Sequence, residues 1–186
     1  MTGWIILGVI AALIAYLVAA YNGMVSLRRR TDQAFADIDV QLKQRHDLIP
    51  NLIETVKGYA GHEKSTLDAV IQARNGAMAA RGEHAQAQAE QVLSGAVGRL
   101  MALAEAYPDL KANTNFLNLQ DQLGAVEDKL AAARRFFNNA VGEYNASIES
   151  VPNVFFARNF GFTQREFFDV GEIKRAELDV APTVKF

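Results

Sequence analysis

Residues 39–52 read DVQLKQRHDLIPNL, a run that combines the core spacing of a long helix with charged and kinking residues set inside it. Phe35, Ile38, Leu42, Arg45, Ile49, Leu52, Val56 and Tyr59 follow one another by alternating steps of three and four. That spacing keeps one seam of a helix turned toward a partner helix, as in a coiled coil. Arg45 is the one break in the apolar seam. Pro50 removes a backbone donor and crowds the preceding turn, at about 3 kcal/mol or more inside a helix. It is therefore expected to kink this helix or interrupt its bonding.

Working outward toward the C-terminus, the same periodicity predicts three more helices. Gly58 and Gly61 are expected to stop the first, as residues that tolerate the left-handed turn of a helix end. A second is predicted from about Glu63 to Ala80, with Leu67, Val70, Ile71, Arg74 and Met78 inside, ending near Gly82. A third covers about Ala85 to Tyr107 on the seam Ala89, Leu93, Ala96, Leu100, Leu103 and Tyr107, with Gly95 and Gly98 beside it, expected to serve close packing. Residues 107–115, YPDLKANTN, read as a connection in which Thr114 or Asn115 caps the following helix. That fourth helix runs from about Asn115 to Ser150 on Phe116, Leu119, Leu123, Val126, Leu130, Ala133, Phe137, Val141, Tyr144 and Ile148, and Pro152 ends it. Such seams cannot be buried singly, so the expectation is an all-α fold whose body is an antiparallel up-and-down four-helix bundle.

Working outward toward the N-terminus, Gly3 to Ala20 is almost wholly apolar and no charged side chain occurs before Arg28. That length meets the requirement of about 20 residues for a transmembrane helix. Trp4 and Tyr21 bracket it about 26 Å apart along a helix, close to the separation of the two aromatic belts of a bilayer. Val18-Ala19-Ala20 offers small residues for signal cleavage, but no basic region precedes the apolar run, so a retained single-pass anchor is expected. Arg28-Arg29-Arg30 follows the span, and the positive-inside rule puts the N-terminus outside and the body in the cytoplasm, at the inner membrane. Gly8, Ala12, Ala15 and Ala19 share one face and would let two such helices approach closely, unless an alanine-rich span makes the stripe by chance.

The expected organisation is an anchor at 1–26, a bundle at 27–151 and an irregular tail at 152–186. The first and fourth helices, each about 35 residues or roughly 50 Å, exceed the other two, so they must pair alone near the anchor. The tail is suited to cover them, because Phe155, Phe156, Phe160, Phe162, Phe167 and Phe168 crowd a stretch without helical period. Either these rings pack into the open groove of the long pair, or some of them contact lipid or a partner. The mixed-charge end from about Glu172 to Phe186 is expected to be mobile.

The stretch DVQLKQRHDLIPNLIETVKGYAGHE at 39–63, with YPDLKANTNFLNLQ at 107–120 and Tyr144-Asn145, closely resembles the LemA family of bacterial membrane proteins. The resemblance reaches from the anchor to Phe168. It implies one N-terminal membrane helix followed by a helical bundle, and it carries over no catalytic residues. It also implies, through a relative associated with magnetosome membranes, a membrane-organising role.

Composition narrows the chemistry. A net charge of -2 without a basic patch argues against a nucleic-acid partner. The lack of cysteine excludes thiolate nucleophiles and cysteine-ligated metals. His46, His62 and His84 form no HExxH pattern, and phosphate-loop and nucleophile-elbow motifs are absent, so no cofactor or metal is expected. The remaining polar constellation is Arg45, His46, Asp47, Pro50 and Asn51, to which Asp39, Asn113 or Asn115 could contribute. It reads either as a buried network fixing helix register or as an interaction site beside the Pro50 kink, where a freed carbonyl could receive a partner group. The function expected is a membrane-anchored scaffold whose partners are the lipid bilayer, a second copy of the chain and another protein. The alternative is a hydrolase or metal-dependent enzyme centred on Arg45, His46 and Asp47.

Overall fold

A computed structural model describes residues 1–168, which are helical and contain no strand. The predicted charged end at 172–186 lies outside the described residues. The helices are α1 (Thr2–Ala60), α2 (Lys64–Ala79), α3 (Glu83–Ala104), the single turn α4 (Pro108–Lys111) and α5 (Thr114–Glu149). Two short 3-10 turns follow at Asn153–Phe155 and Arg158–Phe160. The apolar stretch and the first amphipathic seam are thus one helix, assigned without interruption through Pro50. The chain divides into two compact units, residues 1–39 with 133–166 and residues 40–132 with the tail from Phe167 onward.

In the second unit, the polar contacts fix the direction of each helix. Asn113 donates to the Tyr59 hydroxyl at 2.9 Å, and Arg45 reaches Glu127 at 2.7 Å. Fourteen residues back along α1 match fourteen forward along α5, so these segments are antiparallel. α2 returns along α1, since Arg74 meets the His46 carbonyl across the turn that follows Ala60. The core is an apolar cluster that includes Ile49, Leu52, Val56, Val70, Leu93, Leu100, Leu110, Phe116 and Leu123.

The seams of α1 and α5 lie where their spacing puts them, with Tyr59 exposed and Ala60 buried in its place. α2 and α3 keep Leu67, Val70, Leu93, Ala96 and Leu100 of the expected faces but differ from them at the margins. Ile71 and Met78 are exposed while Ala77 is buried, and α3 buries Ala87 and Glu90 with Leu93, Ala96, Leu100 and Ala104. Close packing does not explain Gly98, which has open space where a Cβ would stand, nor Gly95, whose nearest neighbour there is the tip of the Arg99 side chain at 4.0 Å. Gly61 follows α1 without a positive φ. It serves by having no Cβ, which would stand 2.9 Å from the Lys57 carbonyl oxygen. A positive φ belongs instead to Gly82, at +83° before α3, and to Gly161, at +75° after the second 3-10 turn. Neither Thr114 nor Asn115 caps α5: Asn113 does, its Oδ1 accepting from the Phe116 amide at 3.0 Å.

In the first unit, α1 and α5 pair antiparallel. Arg30 meets Glu143 at 2.5 Å, and the Phe35 and Phe137 rings lie 5.5 Å apart. Met24, Tyr144, Ile148, Ala157 and Phe162 form its apolar cluster, with Phe156 packed alongside. The tail is fastened by backbone-like bonds: Asn145 donates to the Arg165 carbonyl and accepts from the Arg165 amide, both at 2.9 Å. Arg165 also reaches Asp32 at 2.7 Å and bonds Thr31.

The Tyr144 hydroxyl donates to the Thr163 carbonyl at 2.9 Å. Burial pushes this phenol above its ordinary value of 10.0 and keeps it a neutral donor. Because the folded-state value is raised, the contribution to stability is whole below pH 10.0 and is lost as pH climbs through the raised value. Tyr144→Phe is expected to lower stability by about 0.5–1.5 kcal/mol in urea unfolding at neutral pH, and to remove that part of the alkaline loss.

Candidate functional site

Arg45 comes to the inner face of α1 because the three-four alternation places it there between Leu42 and Ile49. Its guanidinium is almost wholly enclosed, and an unpaired charge so placed costs several kcal/mol. The partner is on α3. Arg45 Nη1 donates to Glu90 Oε2 at 2.8 Å, and Nη2 donates to Ser94 Oγ at 2.8 Å and meets Glu127 Oε1 on α5 at 2.7 Å. The other Glu90 oxygen lies 2.6 Å from His46 Nε2. With Glu90 as a carboxylate, which can only accept, Nε2 of the imidazole is the donor of this bond. Glu90 is 1 % exposed, and both of its oxygens are satisfied by α1.

One backbone group completes the cluster. Pro50 has no N–H, so the carbonyl four residues earlier, that of His46, has no helical donor from that position. Arg74 of α2 supplies one, its Nε donating to the His46 oxygen at 2.8 Å. The vacancy that the sequence offers to an outside group is thus met from within the chain. α1 is joined through its residues 45 and 46 to α2, α3 and α5.

The rest of the expected constellation does not converge on this cluster. Asp47 turns outward to Lys43 at 2.6 Å, and the hydrogen bond from that ammonium holds its carboxyl below the ordinary range. Pro50 and Asn51 are on the exposed face, and the Asn51 carbonyl takes the Thr55 hydroxyl at 2.8 Å. Asp39 and Asn115 are exposed, and Asn113 is occupied in capping α5 and bonding Tyr59. Glu90, Ser94, Glu127 and Arg74 are the members that the constellation lacked. The clue to Glu90 is its place three residues before Leu93, an acid at core spacing that answers a base at core spacing. Among the described residues, no group of three or more His, Asp or Glu is placed to hold a metal ion.

The remaining sequence-selected features, Phe167 and Phe168 apart, are in the first unit. Gly8 and the alanines at 12, 15 and 19 lie along the apolar stretch of α1, where Gly8 has nothing within 4 Å of a would-be Cβ. That stretch meets the length and composition of a membrane span and has no buried residue in its span. The tail rings divide. Phe162 is buried between Tyr21, at 5.5 Å, and the Arg28 guanidinium, at 5.0 Å, and Phe156 packs with it, while Phe155 and Phe160 are exposed. At the start of the second unit's tail segment, Phe167 is exposed and Phe168 buried.

The chain matches the LemA family model over residues 34–186, a stretch that includes Arg45 and Asn113. The chain belongs to the LemA family. Curated relatives of this LemA-family chain include Magnetosome protein MamQ 1 of Paramagnetospirillum magneticum, 25% identical over 185 residues, covering 86% of this chain and 68% of the relative. Magnetosome protein MamQ of Magnetospirillum gryphiswaldense is 24% identical over the same shares. Protein LemA of Metamycoplasma hominis is 22% identical over 161 residues, 86% of this chain and 74% of that one.

Proposed function

We propose that this LemA-family chain is a non-enzymatic, membrane-tethered helical scaffold that self-associates and presents its helical body to protein partners. The observation that carries the reading is the contrast between its two kinds of surface. The apolar stretch of α1 has no buried residue in its span, with Trp4 82 % exposed, whereas the Arg45 cluster spends its polar groups, Arg45 Nε apart, on its own helices. An apolar helix of that length with no buried residue suits lipid, and a cluster whose charges pair with one another suits architecture more than turnover. The tether at 1–26 would hold a body at 27–151 and a tail at 152–186, with the N-terminus outside the inner membrane and the body in the cytoplasm. The small-residue face of Gly8, Ala12, Ala15 and Ala19 would supply the contact between copies. The names of the MamQ relatives support a role in organising membrane.

Crosslinking in intact cells with identification of partners tests the scaffold, and mass measurement after detergent extraction counts the copies. A dimer or larger species that dissociates when Gly8 and Ala12 are both replaced by leucine is the expected result. A monomer at native density removes self-association, and release of the intact chain by alkaline carbonate removes the tether.

A further inference from the structure

We propose that the two 3-10 turns after α5 form a second membrane contact, an apolar collar seated in the lipid headgroup region beside the span. The inference rests on the reading of α1 as a membrane tether. Its first support is level. Arg30 lies opposite Glu143, Phe35 opposite Phe137, and Met24 packs with Ile148. In this antiparallel register, the end of α5 at Glu149 comes level with residue 23 or 24 of α1, and the chain beyond it climbs toward the apolar stretch. The second turn does reach it, since the Phe160 ring is edge-on to Tyr21 at 5.5 Å and shares a groove with Leu17 and Val18. Tyr21 closes the apolar run, the position at which aromatic rings sit at the headgroup boundary.

The second support is what these turns show to solvent. Val151 and Phe155 are 75 % and 74 % exposed, Phe160 is 57 % exposed and Val154 is half-exposed, while Phe156 and Phe162 turn inward to Met24 and Ile148. The turns therefore have an inner apolar face that grips the helix pair and an outer apolar face, Val151, Val154 and Phe155, that is largely open, with Phe160 at its edge beside Tyr21. Packing on α1 and α5 accounts for the inner rings and one side of Phe160. Arg158, exposed within the same turns, and Arg29 on α1 place cations where lipid phosphates would lie. An apolar ring and a basic residue side by side at the end of a span suit an interface better than either bulk water or hydrocarbon.

The test uses the full chain reconstituted in phosphatidylcholine–phosphatidylglycerol vesicles. Trp4 is the one tryptophan, so W4F/F155W and W4F/F160W each report from a single collar position. Lipids brominated high on the acyl chain are expected to quench both reporters about as strongly as they quench Trp4 in the unchanged protein, and more strongly than lipids brominated deep. Quenching by aqueous acrylamide without quenching by brominated lipid, while Trp4 still responds to lipid, overturns the collar and leaves the tether standing. If Trp4 too fails to respond, the tether has failed. Reporters shielded from both quenchers, and uncovered when the protein is diluted in excess lipid, would show a second copy on this face and likewise overturn the proposal.

Discussion

Replacing Glu90 by alanine is expected to destabilise the helical body by about 3–5 kcal/mol, because it strands a buried charge. The Arg45 side chain is 3 % exposed and shares Glu90 with His46, so neither partner can turn to water without unpacking α1 from α3. Glu127 remains within reach of Arg45, but its side chain is 44 % exposed and an ion pair open to solvent recovers little. The measurement is urea unfolding followed by helical circular dichroism in detergent. A loss below about 1 kcal/mol would mean that water already reaches Arg45. Replacing Arg45 and Glu90 together by methionine should cost far less than Glu90→Ala, since an apolar pair of similar volume needs no counter-charge. If the double variant folds and still loses its partners in crosslinking, the cluster does more than set register.

Arg74→Ala is the second large effect, at about 1–3 kcal/mol, the cost of leaving the buried end of a hydrogen bond unmade. The Arg74 bond to the His46 carbonyl stands in for the one that Pro50 cannot donate. Restoring an N–H with Pro50→Ala offers that carbonyl its ordinary helical partner. The loss on removing Arg74 should therefore shrink in the Pro50→Ala background, with a coupling of about 0.5–3 kcal/mol between the two positions. Additive losses would mean that Arg74 works through packing alone.

These two sites also mark where the sequence was legible. The faces of α1 and α5 could be read because large apolar side chains recur at regular steps with polar residues between them. α2 and α3 are rich in alanine, which is equally at home inside or outside. In α3 that let Ala89 pass for the core position that Glu90 holds, and in α2 Met78 outbid Ala77. A seam of small residues gives periodicity little to weigh, and the partner's charge decides the rotation. Arg45 called for an acid, but spacing along one helix says nothing about which neighbour brings it. The carbonyl freed by Pro50 was likewise visible, while Arg74 as its occupant depended on how α2 folds back. The tail's inner and outer rings could not be sorted at all, because a segment without period gives no face to read.

The hydrogen bond from Arg74 to the carbonyl ahead of Pro50 has a bearing on descent. Two codons twenty-four places apart answer for a single bond, so the arginine is not free to drift while the proline stands. A lineage that trades the proline away releases its arginine from service, whereas one that loses the arginine first carries a defect until the ring goes too.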